Sequence, residues 1–317
     1  KHLLSSSEKL NYIIGDGQGK GDKNSELLIF EACEYQRHFL HYRPDIAVIT
    51  NIDYEHPDYF TDIWDVRDAF KEFAENAQTV IYNMDDIGKL YLKKKTEVTY
   101  GLQNQVDFYA ENIRSDNYYT YFDLYHKQAL IGNIKVPLYG LHSVYNVLAA
   151  VSVCKFLHID NNVIIEGLKD FKGGKRRAEE LVSSSQVIIS DYAHHPKEIA
   201  ATILAYREKY PHKKLIIYFQ PHTYTRTQTF LKEFAKVLCM ADKVYLREIF
   251  SSAREKIKSI SVESLAKIII NSQIINDLSF ISEFKKYRDC IIIFMGAGDI
   301  DRYCDIECGG KIDRRTF

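Results

Sequence analysis

Short apolar runs alternate with segments of helical periodicity along most of this chain, and this alternation constrains its fold more than any other feature. The runs at Ile46–Ile49 and at residues 80–82 are continuously apolar and partly β-branched. Strands that are buried on both faces of a parallel sheet have this character. Between the two runs, Val66, Phe70 and Phe73 recur at helical spacing, which predicts a helix that packs against the sheet.

Three other segments complete the first half of the chain. Leu27–Phe30 is an apolar run of the same kind, which predicts another strand of a parallel sheet. Residues from about 97 to 139 are Tyr-rich, roughly alternating and interrupted by turns, which predicts an antiparallel insertion of short strands. A helix follows, with Val144 and Val147 on its apolar face and Ser143 as the expected N-cap.

A glycine-containing basic segment, residues 171–177, separates this half from a second one and is interpreted as a hinge. Beyond it the alternation restarts, with strand-like runs at residues 187–189, 215–219, 244–246 and 291–294. The sequence therefore predicts an α/β protein of two domains, 1–172 and 173–317. The first has a mostly parallel sheet with an antiparallel insertion, and the second is a Rossmann-like α/β domain.

The overall composition argues against several classes of partner. The chain has 43 acidic and 42 basic residues, so it has no general attraction to nucleic acid or to membranes. No apolar stretch is long enough to span a bilayer, and the first residues lack the apolar core of a secretion signal. Most of the six cysteines lie in apolar segments, as in proteins of a reducing cytosol, so we expect a cytoplasmic protein. Cys304 and Cys308 could lie one helical turn apart, but no second pair at metal-like spacing accompanies them.

Polar side chains follow the apolar runs at three points, residues 50–56, 191–196 and 219–227. Parallel α/β sheets collect ligand-binding groups where a strand ends and the chain turns toward a helix. The three runs are rich in His, Asp, Glu and Arg, which predicts a site for a charged substrate and a metal ion.

Two candidate metal ligands lie in the first half. Glu31 directly follows a strand-like run, and a carboxylate there could hold Mg²⁺, although a solvated or helix-capping glutamate is an equal alternative. His56 closes its run beside Asp53 and Glu55, where an imidazole could bind a metal directly or through water, or could bond to the backbone of its loop.

The second half offers groups suited to phosphate and ribose. Arg176 and Arg177 lie in the hinge, and a guanidinium group binds phosphate through two hydrogen bonds, although a basic pair is usually a solvated surface feature. Asp191 ends a strand, where it could accept a hydrogen bond from a ribose hydroxyl.

Four further residues could bind or act on an anionic substrate. His194 and His195 precede Pro196 at an expected helix start, and helix N-termini attract anions. His222 and Arg226 follow the next strand, and an arginine is the natural partner of a small carboxylate. An ordinary exposed arginine remains the alternative for Arg226.

Taken together, these runs resemble the Mur ligases, and they occur in the order found in that family. The runs that carry the resemblance are residues 30–34, 50–59, 140–146, 174–177, 191–196, 219–227 and 296–299. The sequences Asp-Tyr-Ala-His-His-Pro and Phe-Gln-Pro-His-x-x-x-Arg-Thr are specific to a small part of the family and favour its alanine-adding branch.

The resemblance implies an ATP- and Mg²⁺-dependent reaction in which L-alanine is joined to UDP-N-acetylmuramate through an acyl phosphate. As the balance of charge already indicates, no nucleic acid or membrane partner is expected. The residues that match metal ligands of the family are Glu31 and His56. Those that match its nucleotide contacts are His142, Asn146, Arg177 and Asp191. Those on the side of the amino acid and acyl phosphate are His194, His195, His222 and Arg226.

Some residues depart from the family pattern. No Gly-x-x-x-x-Gly-Lys-Ser/Thr phosphate loop occurs in the 317 residues, and residues 15–21 have the wrong spacing for one. We therefore expect a polypeptide that lacks this loop and an amino-terminal domain, with little or no ligase turnover. Thr223 stands where many relatives have an arginine, and Phe70 stands where some have a carbamylated lysine, so we expect no carbamate.

Three alternatives remain open. The chain could be another amide ligase of the superfamily that acts on a murein peptide or a folate. It could be a noncatalytic binding or regulatory protein derived from a ligase, which the missing phosphate loop would favour if the chain is natural and complete. A zinc hydrolase that uses His194, His195 and His222 ranks third, because no further ligand at zinc-like spacing accompanies the paired histidines.

Overall fold

The structure is a computed structural model, and it describes residues 1–4, 10–15, 19–90, 92–93, 96–103, 105–182, 186–252, 255 and 258–307. The chain divides into two compact units, Lys1–Phe171 and Lys172–Phe317. None of the described helices is both long enough and apolar enough to cross a membrane. Cys308, which was considered as a partner of Cys304, lies outside the described residues.

The first unit contains two sheets, one of six strands and one of three. Its strands are β1 (Leu10–Ile13), β2 (Gly19–Lys20), β3 (Leu27–Phe30), β4 (Ile46–Ile49), β5 (Thr79–Asn83), β6 (Thr96–Gly101), β7 (Phe108–Ser115), β8 (Thr120–His126) and β9 (Ala129–Val136). Its helices are a 3₁₀ helix (Tyr35–His41), α1 (Ile63–Asn76), α2 (Met84–Ile87), α3 (Leu141–Phe156) and α4 (Asn161–Lys169).

The larger sheet has the order β4-β5-β6-β7-β8-β9. Neighbours from β4 to β7 are parallel, and β7, β8 and β9 are antiparallel. The predicted mixture of parallel sheet and antiparallel insertion is therefore confirmed. The antiparallel part is shorter than expected, because β6 continues the parallel order beside β5.

Strand β3 was predicted correctly as a strand, but it does not lie in the large sheet. It pairs with β1 in the three-stranded sheet of order β2-β1-β3, and its residues are only partly buried or exposed. A four-residue apolar run indicates a strand, but it carries no information about which neighbour the strand pairs with.

The start of α3 also differs from the expectation that Ser143 is its N-cap. The cap is Gly140, whose φ of +80° lies in the region that favours glycine. Ser143 lies inside the first turn, where its hydroxyl donates to the carbonyl oxygen of Tyr139 at 2.7 Å. Helix α1, by contrast, follows the predicted periodicity, and Val66 and Phe73 are buried in a core cluster.

The second unit is built around one six-stranded sheet. Its strands are β10 (Glu179–Val182), β11 (Val187–Asp191), β12 (Lys214–Phe219), β13 (Lys243–Leu246), β14 (Ser272–Ile274) and β15 (Cys290–Met295). Its helices are α5 (Pro196–Lys209), α6 (Tyr224–Thr229), α7 (Leu231–Leu238), α8 (Val262–Ala266), α9 (Asp277–Phe284) and α10 (Arg302–Glu307).

The strand order of this sheet is β10-β11-β15-β12-β13-β14, parallel except for the edge strand β10. All residues of β15, and all but the first residue of β12, are buried, as their continuous apolar runs predict. Because β11, β15 and β12 are parallel neighbours, the segments that follow them meet at one edge of the sheet. That edge carries the polar runs at residues 191–196 and 219–227.

Candidate active-site residues in the two units

Glu31 lies directly after β3 and is exposed. Its carboxylate Oε2 accepts a hydrogen bond from the backbone N–H of Gly15 at 2.9 Å. A Cβ atom at position 15 would lie 2.6 Å from the same oxygen, so a side chain there would displace the carboxylate. The hydrogen bond from Gly15 therefore fixes the position of the Glu31 carboxylate at the end of β3.

His56 contacts Glu34, which the sequence analysis did not single out. The imidazole Nε2 lies 3.0 Å from Glu34 Oε1, and the ring packs against Tyr35 with centroids 4.7 Å apart. Burial alone would raise the pKa of Glu34, but hydrogen bonds, above all the one from His56, hold it below its ordinary value. Glu34 therefore stays ionised beside the imidazole.

The described residues contain no group of three or more His, Cys, Asp or Glu side chains arranged to hold a metal ion. Glu31 and His56 are thus not joined by a third protein ligand within this part of the chain. Mg²⁺ usually takes only one or two protein ligands and completes its shell with water and phosphate oxygens. The exposed carboxylate of Glu31 fits that chemistry, and the roles of Glu31 and His56 as ligands stay predictions.

His142 and Asn146 lie one turn apart near the start of α3. Asn146 is exposed, and burial lowers the pKa of the half-buried His142, which favours its neutral form. Between them, the Tyr145 hydroxyl donates to Asp85 Oδ2 at 3.0 Å, and the same oxygen accepts from the backbone N–H of Leu102 at 2.6 Å. Asp85 thereby ties the start of α3 to the ends of β5 and β6.

The two hinge arginines differ in their contacts. Arg176 donates through Nη2 to the carbonyl oxygens of Gly296 and Gly298, at 2.6 and 2.9 Å. Its guanidinium group therefore binds the backbone of the loop that follows β15. Arg177 is exposed, and its guanidinium carbon lies 5.3 Å from the ring centroid of Tyr192. Of the pair, Arg177 is the one that can reach a soluble anion.

Asp191, at the end of β11, is only 6% exposed. One carboxylate oxygen accepts from the backbone N–H of Ala193 at 3.0 Å, and the other accepts from the Thr202 hydroxyl at 2.6 Å. Burial raises its pKa to about 6. Asp191 thus organises the polar run that follows it, and its contact with a ribose stays a prediction.

His195 is the N-cap of α5, which begins at Pro196 as the sequence predicts. Its Nδ1 accepts from the backbone N–H of Lys197 at 3.4 Å, its ring packs against Phe230, and it is 6% exposed. This is a structural role, and the predicted catalytic role of His195 stays untested.

Glu198 completes a capping box with His195. Its Oε2 accepts from the backbone N–H groups of His194 and His195 at 2.9 and 3.1 Å, and it lies 3.3 Å from His194 Nδ1. Sequence reasoning missed Glu198, although a glutamate three residues after an N-cap is a recognisable signal.

His222 and Arg226 interact directly. Arg226 is 4% exposed, and its Nη1 lies 3.0 Å from His222 Nδ1. The His222 ring lies 6.0 Å from the ring of His194, centroid to centroid, and equally far from that of Phe250. The structure therefore brings His194, His222 and Arg226 together, as the polar runs predict. Binding of a substrate carboxylate by Arg226 stays a prediction.

Another carboxylate that the sequence analysis missed, Glu255, holds the start of α6. It accepts from the backbone N–H groups of Tyr224 and Thr225 at 2.9 and 2.8 Å. It thereby fixes the turn that carries Arg226.

No described trio of His, Cys, Asp or Glu in this unit is arranged as a metal site, so a zinc site formed by His194, His195 and His222 is not supported.

Comparison with known proteins gives a consistent result for both units. A family model described as the Mur ligase middle domain matches residues 18–154, and one described as the Mur ligase, glutamate ligase domain matches residues 176–300. The UDP-N-acetylmuramate–L-alanine ligase of Ligilactobacillus salivarius (strain UCC118) is 46% identical over 305 residues. That match covers 95% of this chain and 69% of the relative.

Solved structures share the fold at low sequence identity. The UDP-N-acetylmuramate-alanine ligase from Thermotoga maritima superimposes with a TM-score of 0.76 at 21% identity, covering 98% of this chain and 72% of that one. The MurF ligase from Thermotoga maritima, solved in complex with ADP, gives a TM-score of 0.74 at 17% identity, covering 96% and 74% of the two chains.

Proposed function

Because the chain belongs to the Mur ligase family, we propose that it joins L-alanine to UDP-N-acetylmuramate in an ATP-dependent step of peptidoglycan precursor synthesis. The observation that carries this proposal is the 46% identity to an alanine-adding ligase over 95% of the chain, which spans both units. The cluster of His194, His222 and Arg226 supports it, because it gathers a charged and two titratable groups at the edge of a parallel sheet.

We assign the binding of the nucleotide and its metal ion to residues of the first unit. Glu31 and His56 would hold Mg²⁺, which supplies positive charge that screens the repulsion between phosphate oxygens and an incoming carboxylate. Asn146, exposed on α3, can present its amide to the edge of a base, and His142 lies one turn before it. The contacts of Tyr145 with Asp85 hold this turn in place.

In the second unit we assign Arg177 to phosphate and His194, His222 and Arg226 to the amino acid and the acyl phosphate. The exposed guanidinium of Arg177 can pair with phosphate oxygens through two N–H groups. Asp191 is assigned an organising role, because its hydrogen bonds to Ala193 and Thr202 set the direction in which the chain leaves β11.

A noncatalytic binding protein derived from a ligase is the second candidate. The 317 residues contain no Gly-x-x-x-x-Gly-Lys-Ser/Thr sequence, and the lysine of that loop binds the terminal phosphates. We therefore expect slow turnover by this polypeptide and design the test to detect a small amount of product.

The test incubates the protein at high concentration with ATP, Mg²⁺, UDP-N-acetylmuramate and an equimolar mixture of amino acids, and identifies products by mass spectrometry. We expect a product that is heavier by one alanine residue and that requires ATP. Selective formation of a product with another amino acid would refute the assignment to L-alanine. ATP binding by equilibrium dialysis without any product would favour the noncatalytic candidate.

A further inference from the structure

Two histidines of the second unit differ in the chemistry of the groups that hold them. The rings of His194 and His222 lie 6.0 Å apart, with their planes at 80°. A neutral imidazole carries its proton on one nitrogen and a lone pair on the other, and the hydrogen bond at one nitrogen decides which. The partners of the two Nδ1 atoms therefore fix what each Nε2 atom can do.

His194 Nδ1 carries a proton. The atom lies 3.0 Å from the carbonyl oxygen of Tyr192, which can only accept. The carboxylate of Glu198, also an acceptor, lies 3.3 Å from the same nitrogen. A neutral His194 therefore has its lone pair on Nε2, where it can take up a second proton.

His222 is held in the opposite state. Its Nδ1 lies 3.0 Å from Nη1 of Arg226, and a guanidinium group can only donate. A proton on Nδ1 would replace this hydrogen bond with a contact between two N–H donors, and protonation of both ring nitrogens would set a second positive charge beside a buried cation. His222 therefore carries its proton on Nε2 and presents an N–H donor there.

We propose, as an extension of the proposed ligation, that His194 Nε2 accepts the proton of the incoming amino group and that His222 Nε2–H donates to an anionic oxygen of the acyl phosphate. The ammonium group of L-alanine loses one proton to His194 before attack. The amine nitrogen then forms a bond to the acyl carbon, and the carbon–oxygen bond to phosphate breaks, with its electron pair leaving on phosphate. The second proton that nitrogen loses leaves with the phosphate, and His194 returns the first to solvent.

Glu198 and Arg226 act as positioning residues in this scheme. The carboxylate of Glu198 is close enough to Nδ1 to stabilise the imidazolium that forms when Nε2 takes up a proton. Arg226 keeps its charge at all relevant pH values, so it holds His222 in one tautomer throughout the reaction. The pair thus combines a proton acceptor and a fixed donor at one edge of the sheet.

The first arm of the test is NMR of the protein with ¹⁵N-labelled histidine, which distinguishes protonated from unprotonated ring nitrogens. We expect a protonated Nδ1 in neutral His194 and a protonated Nε2 in His222. His212, which is exposed in the same unit, serves as the internal reference. In Arg226→Met, His222 should populate both tautomers while His194 is unchanged, which a purely structural role of Arg226 would not produce.

The second arm compares two glutamine variants in the product assay under single-turnover conditions. Glutamine can donate a hydrogen bond but cannot take up a proton at neutral pH. His194→Gln should therefore lower the rate by about 100-fold or more, the usual value of general base catalysis. His222→Gln keeps a donor, and its rate should stay within about 10-fold of the unsubstituted protein.

The two arms separate the inference from the proposed function. The same tautomer in both histidines, or a loss in His222→Gln as large as that in His194→Gln, would overturn the inference while alanine ligation still stands. An unsubstituted protein that forms no alanine-containing product would overturn the proposed function and the proton transfer with it. Opposite tautomers with the unequal rate losses would support both.

Discussion

The candidate residues of the two units are held in different ways. In the first unit, Glu31 and Asn146 are exposed, and the side chain of His56 is 26% exposed. In the second unit, Asp191 is 6% exposed and Arg226 is 4% exposed, and hydrogen bonds hold both to neighbouring loops and helices. Glu31 and Asn146 lie on the surface of the first unit, whereas Asp191 and Arg226 are part of the interior of the second.

This difference in exposure indicates which residues contribute to the stability of the fold and which contribute mainly to ligand binding. A buried polar group costs free energy unless its hydrogen bonds are made, so the contacts of Asp191 and Arg226 contribute to the stability of the second unit. An exposed group is hydrated in the folded and unfolded states alike, and its loss affects mainly the ligand. Substitutions at the buried residues should therefore lower the free energy of unfolding more than substitutions at the exposed residues. The two kinds of substitution should differ less in their effect on the reaction.

The largest expected effect is that of Asp191→Ala on stability. Its loss leaves the N–H of Ala193 and the hydroxyl of Thr202 without this acceptor in the interior, which should lower the free energy of unfolding by about 3 kcal/mol. The matched change Glu31→Ala, at an exposed carboxylate that also follows a strand, should cost less than about 0.5 kcal/mol. Urea denaturation measures both, and equal losses would remove the distinction between the units.

The next effect is the pH dependence of stability that Asp191 contributes. Burial raises its pKa to about 6 from an ordinary 3.8, so the native state binds the proton more tightly than the unfolded chain. The stability that this carboxyl contributes is fully present below pH 3.8 and is lost as the pH rises through about 6.

Asp191→Asn tests this window, because asparagine fills the same space and does not titrate. The unfolding free energy of the unsubstituted protein minus that of the variant should fall by about 2 kcal/mol between pH ~4 and pH ~7. Glu31→Gln serves as the control for the removal of one carboxyl group from an exposed position. A difference that stays flat, or that rises with pH, would show that desolvation does not raise the pKa of Asp191 in the native state.

A smaller effect is expected for Glu198, which caps α5 and contacts His194. Glu198→Ala should lower the free energy of unfolding by about 1 kcal/mol, because two N–H groups lose their acceptor at a helix start. Glu198→Gln keeps an oxygen that can accept, and should lose less than half of that. If thermal denaturation gave the same loss for both variants, charge rather than capping would be the stabilising factor.

The sequence predicts four of the six strands in the sheet of the second unit, because a buried strand leaves a continuous apolar run such as that of β15, but it misses β10 and β14. It does not predict which sheet β3 joins, since pairing depends on the path of the chain. The cap at Gly140 was missed because a positive φ leaves no mark beyond the glycine itself.

The candidate site shows the same division. The polar runs identified the residues that gather at the end of each strand, including His222 and Arg226. They did not identify the carboxylates that hold those residues, Glu34, Glu198 and Glu255, whose partners are mostly backbone N–H groups or side chains in other loops. Of these, only Glu198 lies at a spacing from its partner that is visible in the sequence.

The smallest effect on stability, and the sharpest test of the first unit, is expected for Asn146→Ala. The residue is exposed on α3, and alanine favours helices, so the free energy of unfolding should change by less than about 0.5 kcal/mol. If its amide binds the nucleotide base, ATP affinity should nevertheless fall by about 10-fold, the usual value of one or two lost hydrogen bonds. Equilibrium dialysis with labelled ATP and Mg²⁺ measures this change.

Asn162→Ala, at an exposed asparagine of α4 in the same unit, is the matched control and should leave ATP affinity unchanged. Equal affinities for the two variants would remove Asn146 from the nucleotide site, whereas a large loss of stability in Asn146→Ala would show that this surface is as much part of the fold as the interior of the second unit. For Asn146→Ala we expect weaker ATP binding at constant stability, whereas for Asp191→Ala we expect a loss of stability. An exposed amide such as that of Asn146 makes its hydrogen bonds only when the ligand is bound. A buried carboxylate such as that of Asp191 contributes to the fold whether or not a ligand is bound.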